Sequence, residues 1–134
     1  MSVTYELQVA IFDRLVADTN VHALIGDAIY DGARPDDDMP YAVFGPTDVD
    51  EDDGDELDSA EVTMQIDVYC ANGGRLGPCR QIVDAIKVSL HKFAGSLSVH
   101  ALTELRVPVR RVFLDEDGKT AHGVLTLVAL VEEN

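Results

Sequence analysis

The stretch VTMQIDVYC (62–70) decides the fold class of this chain. Val62, Met64, Ile66, Val68 and Cys70 alternate with Thr63, Gln65, Asp67 and Tyr69, so a period of two holds over nine residues. That is the pattern of a strand with one buried face. Asn72-Gly73-Gly74 then breaks the strand, and Pro78 stands where the first turn of a helix accepts it. From there Cys79, Ile82, Val83, Ile86, Leu90 and Phe93 form one apolar stripe, with Arg80, Asp84, Lys87 and His91 opposite. A strand with one buried face followed by an amphipathic helix is a sheet with a helix packed on it.

Further along, LSVHALTELRVPVRRVF (97–113) and HGVLTLVALVE (122–132) read as the two strands of a long hairpin. Asp115-Glu116-Asp117-Gly118 supplies the turn, with Gly118 taking the positive φ such turns need. Pro108 marks an edge position or a bulge. Toward the N-terminus, Leu7, Ile11 and Leu15 sit four apart within 4–18, flanked by Ala10, Phe12 and Val16. This predicts an amphipathic helix with Glu6, Asp13 and Arg14 facing water. A short helical turn over 20–25 ends at Gly26, and YAVFG (41–45) is a short strand closed by Gly45-Pro46. The expected fold is α+β: one domain over 1–134, an antiparallel-dominated sheet of about four strands, two main helices on one face.

The 134 residues suffice for one domain with a hydrophobic core. No apolar run is long enough to span a bilayer, and the N-terminus lacks a basic region followed by an apolar block, so a soluble intracellular product is expected. Net charge is −15, but nine acids fall in 48–61 and three more in Asp36-Asp37-Asp38, leaving about −3 on the rest. A field of this sign repels nucleic acid and argues against gripping a duplex. The excess of Asp and scarcity of Lys are compatible with a high-salt host. Cys70 and Cys79 read as a buried strand residue and a helix-face residue, with no zinc-ligand spacing around them.

The acidic stretch TDVDEDDGDELDSAE (47–61) is expected as a solvated loop between two strands. It carries Asp48, Asp50, Glu51, Asp52, Asp53, Asp55, Glu56 and Asp58. An EF-hand numbered from Asp48 would need glycine at Asp53 and glutamate at Ser59, and helices rather than strands as flanks. Weak cation condensation, in a cation-responsive acidic binding module, stays open. Mutually repelling acids on a loop tip offer no pocket to separate two pKa values for catalysis. NGGRLGP (72–78) joins a strand to a helix but matches neither phosphate-loop pattern, and no nucleophile motif or paired histidines occur. A small enzyme of unknown substrate is the weaker alternative; no cofactor or metal is implied. Arg106, Arg110 and Arg111 form the main basic cluster, and adjacent Arg110 and Arg111 point to opposite faces of a regular strand. In a homo-oligomer such arginines can meet the acidic surface of a neighbouring copy.

LQVAIFDRLVAD, VHALIGDAIYDG and PYAVFG, taken in that order, resemble the opening of the tail terminator (tail-completion) proteins of long-tailed phages and gene transfer agents. VTMQIDVYCANGGRLGPCRQIVDAIKVSL is similar to their strand, glycine break and helix, and RRVFLDEDGKTAHGVLTLVALVE to their closing hairpin. The resemblance covers nearly the whole chain through the succession of segments, not through one motif. It implies a structural virion protein of the head–tail junction, not an enzyme. It further implies a ring, with six subunits in that family, that caps the tail tube and stops its polymerisation. The implied partners are the chain itself, the tail tube protein and the head-completion (stopper) protein, with DNA passing through unbound and no membrane. The acid density at 48–61 is a departure from the family's pattern. On that reading the acidic residues and the three arginines are candidate interface or lumen positions.

Overall fold

The computed structural model describes residues 2–32, 38–52, 59–93, 97 and 101–132. Their order is α1 (Val3–Ala17), α2 (Thr19–Ile25), β1 (Ile29–Asp31), β2 (Tyr41–Asp52), β3 (Ser59–Ala71), α3 (Gly77–Leu90), β4 (Ala101–Leu114) and β5 (Thr120–Glu132). The five strands form one sheet in the order β1-β2-β3-β5-β4. Only β1 and β2 run parallel; the other neighbours are antiparallel.

The helices start and stop where their end groups are satisfied. The Ser2 hydroxyl accepts the Tyr5 N–H and opens α1. Asp18 closes α1 and opens α2, its Oδ1 accepting the N–H groups of Asn20 at 2.9 Å and Val21 at 3.1 Å. Gly26, at φ 60°, ends α2. Pro78 lies in the first turn of α3, where its missing N–H costs no bond.

All three helices lie on one face of the sheet. Leu7, Ile11 and Leu15 of α1 and Ile82, Val83, Ile86 and Leu90 of α3 are buried against Val62, Met64, Ile66, Val68, Leu125 and Leu127. Each such side chain contributes about 1.5–3 kcal/mol of transfer free energy, so this shared layer fixes the strand alternation read at 62–70. Arg14 adds a polar tie across the layer, its Nε donating to the Ser89 carbonyl at 3.1 Å while its guanidinium lies over the Phe93 ring.

Four expectations are corrected. The sheet has five strands, because Ile29–Asp31 adds a short one beside β2 that is too brief to carry a period. The second strand does not close at Gly45-Pro46; it continues to Asp52 across a register shift between Phe44 and Thr47. A proline is tolerated there because β1 pairs only with Ala42–Phe44, leaving β2 an edge beyond it. The acidic stretch is therefore not a loop over 47–61, since Thr47–Asp52 pairs with Ser59–Met64 as an extension of the hairpin. Glu6, expected to face water, is buried at 4 % accessibility, and Phe12 is instead among the exposed apolar residues.

Candidate functional site

Strand alternation divides the sheet into a helix-covered face and an open one. On the open face the row Tyr41, Tyr69, His122 and Phe113 crosses β2, β3, β5 and β4. Its rings form a continuous series with Tyr30 of β1: centroid separations are 6.1 Å (Tyr30–Tyr41), 5.3 Å (Tyr41–Tyr69), 4.4 Å (Tyr69–His122) and 4.8 Å (Phe113–His122). Arg111 closes the series with its guanidinium over Phe113.

His122 sits between two carboxylates, with Nε2 at 2.7 Å from Asp67 Oδ1 and Nδ1 at 2.9 Å from Asp115 Oδ1. Gln65 Nε2 donates to both oxygens of Asp67 at 3.1 Å. An open cleft of about 340 Å³ beside this network is lined by Tyr41, Val43, Phe44, Asp67 and Tyr69 with two glycines. Among the described residues that line it, Asp67 is the only carboxylate, and both of its oxygens accept from Gln65 Nε2. The arrangement braces strands: both carboxylates, Asp67 and Asp115, are spent on the one imidazole that joins them.

The sequence-derived acidic positions fall on both faces of the hairpin extension. Asp48 and Asp50 share the open face, opposite Thr63 and Glu61, while Glu51 pairs with Ala60 on the other side. Asp52 ends β2. Asp53, Asp55, Glu56 and Asp58 lie outside the described residues. Among the described residues no group of three or more His, Cys, Asp or Glu side chains could hold a metal ion.

The three arginines lie on β4, at the sheet edge far from β2. Arg110 turns to the helix face and meets Asp84 of α3 at 2.6 Å, whereas Arg111 lies over Phe113 on the open face. Opposite facing of this pair matches the alternation argument. Arg106, on the open face, pairs with Glu104 at 3.6 Å. Among the described residues, the arginines on β4 and the acids on β2 are therefore kept apart within one copy, with β3 and β5 between their strands. Pro108 sits at the register shift between Arg106 and Val109 on this edge strand, as expected.

NGGRLGP serves as a connection packed on the far hairpin. Gly73 and Gly74 take φ 64° and 83°, and the Gly74 N–H donates to the Lys119 carbonyl at 3.1 Å. Cys70 and Cys79 are buried, free thiols at the positions their spacing indicated. The Cys70 contact and burial push the Cys79 thiol well above its ordinary range, which keeps it protonated and unreactive. The network of Asp67, His122 and Asp115 and the β1 residue Tyr30 were not singled out from sequence. Alternation alone puts Asp67 and His122 on polar faces, but only the β3–β5 register brings them together.

Comparison with known proteins accords with this picture of a braced sheet. A chain from the virion of a native gene transfer agent particle matches with TM-score 0.90 and 25 % identity, over 98 % of both chains. The gp17 protein of bacteriophage SPP1 shares the fold, with TM-score 0.57 and 18 % identity over 98 % of this chain and 91 % of that one. Among curated proteins, none matches. These likenesses define the class as an α+β protein with the fold of those two chains. The family model for tail completion protein gp17 matches residues 9–132, and the chain belongs to that family. It is a structural protein of the virion tail, not an enzyme.

Proposed function

We propose that copies of this chain close a ring on the head-proximal end of the tail tube. The ring stops tube growth and presents a surface to the head-completion protein. The carrying observation is the end-to-end likeness to a chain of an assembled gene transfer agent particle, 98 % of each chain at TM-score 0.90. The fold supplies supporting physics. Its five-stranded sheet ends in two unlike edges, and a heterologous contact between unlike surfaces generates a ring when the rotation closes.

DNA passes such a ring without being gripped. The acidic hairpin supports this part of the reading, since Asp48, Asp50 and Glu61 gather negative charge on the open face, and like charge repels a phosphate backbone. The hairpin then faces the lumen or an adjacent ring.

The test is deletion of the gene in the producing host, followed by electron microscopy of the particles. Tails of uncontrolled length or tails separated from heads are the expected result. Normal tail lengths joined to full heads would overturn the proposal. A substitution of Asp48 and Asp50 by Asn should slow assembly or DNA delivery, and full transfer by that variant removes the role given to the hairpin.

A further inference from the structure

We infer that a second copy of this chain adds its β4 edge to the β1 edge, Arg110–Val112 of one copy lying antiparallel to Ile29–Asp31 of the next. The inference rests on the ring reading only in requiring that copies associate.

The two edges are the ends of one sheet, with β2 on one side of β1 and β5 on one side of β4. Part of the β4 edge is already occupied. The Lys92 N–H donates to the Leu105 carbonyl at 2.8 Å, and the Val107 N–H donates to His91 Nδ1 at 3.1 Å. The end of α3 thus blunts the lower part of this edge, which is one way proteins protect exposed strands. Among the described residues, none makes such a bond to Arg110–Val112, and this stretch is the portion left for pairing.

That portion lies at the height of β1. Asp31 is level with Phe44, Phe44 with Ile66, Ile66 with Leu125, and Leu125 with Arg110. The same tracing puts Tyr30 level with Arg111 and Ile29 with Val112. One parallel and three antiparallel pairings make β4 run opposite to β1, so a copy set beside the first in the same orientation meets it in an antiparallel ladder.

The side chains that come opposite are complementary. Asp31 meets Arg110 on the helix face, where Arg110 also holds Asp84 of its own copy; Tyr30 meets Arg111, already stacked on Phe113, on the open face; and Ile29 meets Val112. The flanks agree. Of the eight exposed large apolar residues among those described, three (Tyr5, Val9 and Phe12) line α1, the first helix. They border a groove of about 220 Å³ against β1. Three more, Val88, Val109 and Leu114, lie on α3 and the β4 edge. The contact joins unlike surfaces and continues both the sheet and the helix layer from copy to copy.

The experiment is cysteine cross-linking of the full chain carrying both Asp31→Cys and Arg110→Cys. Within one copy these positions are four strand spacings apart, about 19 Å, beyond the roughly 4.4–6.8 Å Cα separation of a disulfide. Mild oxidation by a copper catalyst and oxygen should give a ladder of covalent multimers on a denaturing gel, collapsed by reductant. Light scattering on the unmodified chain separates the failures. Multimers in solution without a cross-linked ladder would overturn the edge pairing and leave the ring standing. A monomer at every concentration with no ladder would overturn both. As a second measurement, Asp31→Arg and Arg110→Asp should each weaken association at least tenfold, and their combination in one chain should restore it. Equal association by all three variants would overturn the pairing.

Discussion

His122 of β5 reaches across to Asp67 of β3 with Nε2 2.7 Å from Oδ1, and the pair lies on the open face among stacked rings. Its other nitrogen is held by Asp115, so one side chain ties the middle of the sheet to the β4–β5 turn. The pair is largely screened from water, with side-chain accessibilities of 16 % and 12 %. Hydrogen bonds in such places matter chiefly because an abandoned partner stays desolvated.

His122→Ala should therefore destabilise the chain by about 2 kcal/mol, through an under-satisfied Asp67 and a gap in the ring series. The double-mutant cycle with Asp67→Asn should return a coupling of roughly 0.5–3 kcal/mol in urea unfolding. Additive effects of the two substitutions would show that the contact carries no energy of its own.

Gly123 permits the closest approach of α3 to the sheet. A Cβ built there would lie 2.4 Å from Val83 Cγ2 and 3.1 Å from Cys79 Sγ, and both neighbours are buried. Gly123→Ala should cost about 1–3 kcal/mol by overpacking. Gly77→Ala is the control, since nothing lies within 4 Å of its added methyl. Its expected change is neutral or stabilising by about 0.4–1 kcal/mol. Equal effects at the two positions in chemical denaturation would contradict this assignment.

The same two strands show how far sequence could carry the fold. Alternation in 62–70 was legible because that strand has one face in the core and its apolar and polar positions separate cleanly, whereas 122–132 reads only as an apolar strand, since Val124, Val128 and Leu130 stand on its open face. α1 was half legible: Leu7, Ile11 and Leu15 marked the buried stripe, but Tyr5, Val9 and Phe12 form a second apolar side that a single-stripe reading cannot assign. Thr47–Asp52 was misread as loop because Asp is a poor strand former, and its pairing comes from the ladder with β3 rather than from its own propensity. The tie of Asp67 to His122 spans 55 positions and depends on register, which no local pattern encodes.

The β4–β5 turn gives a pH prediction with a definite sign. Asp117 accepts the Thr120 hydroxyl at 2.6 Å and the N–H groups of Thr120 and Lys119 at 2.8 and 2.9 Å. These bonds, the Thr120 hydroxyl first, lower its pKa to about 2 from 3.8. The folded value lies below the unfolded one, so the contribution is complete above about pH 4 and is lost as pH falls through the folded value. Amide exchange at Lys119 and Thr120 should stay slow down to that window and accelerate below it. In Asp117→Asn this acid-dependent component should vanish; an unchanged profile would assign it to other carboxylates.

Asp50 and Glu61 stand directly opposite each other on the open face of the β2–β3 hairpin, both exposed and both acidic. Like charges at a cross-strand position destabilise the isolated chain. Asp50→Asn should then stabilise it by about 0.2–1 kcal/mol at low salt. Asp48→Asn should do less, because Asp48 faces Thr63. The advantage of Asp50→Asn should shrink as salt rises, since screening shortens from about 10 Å at 0.1 M to about 3 Å at 1 M. Thermal melts of the three chains across that salt range decide the matter. A gain that persists in molar salt would locate the effect in strand propensity. No gain at low salt would mean that the hairpin relieves the repulsion by spreading its acids apart.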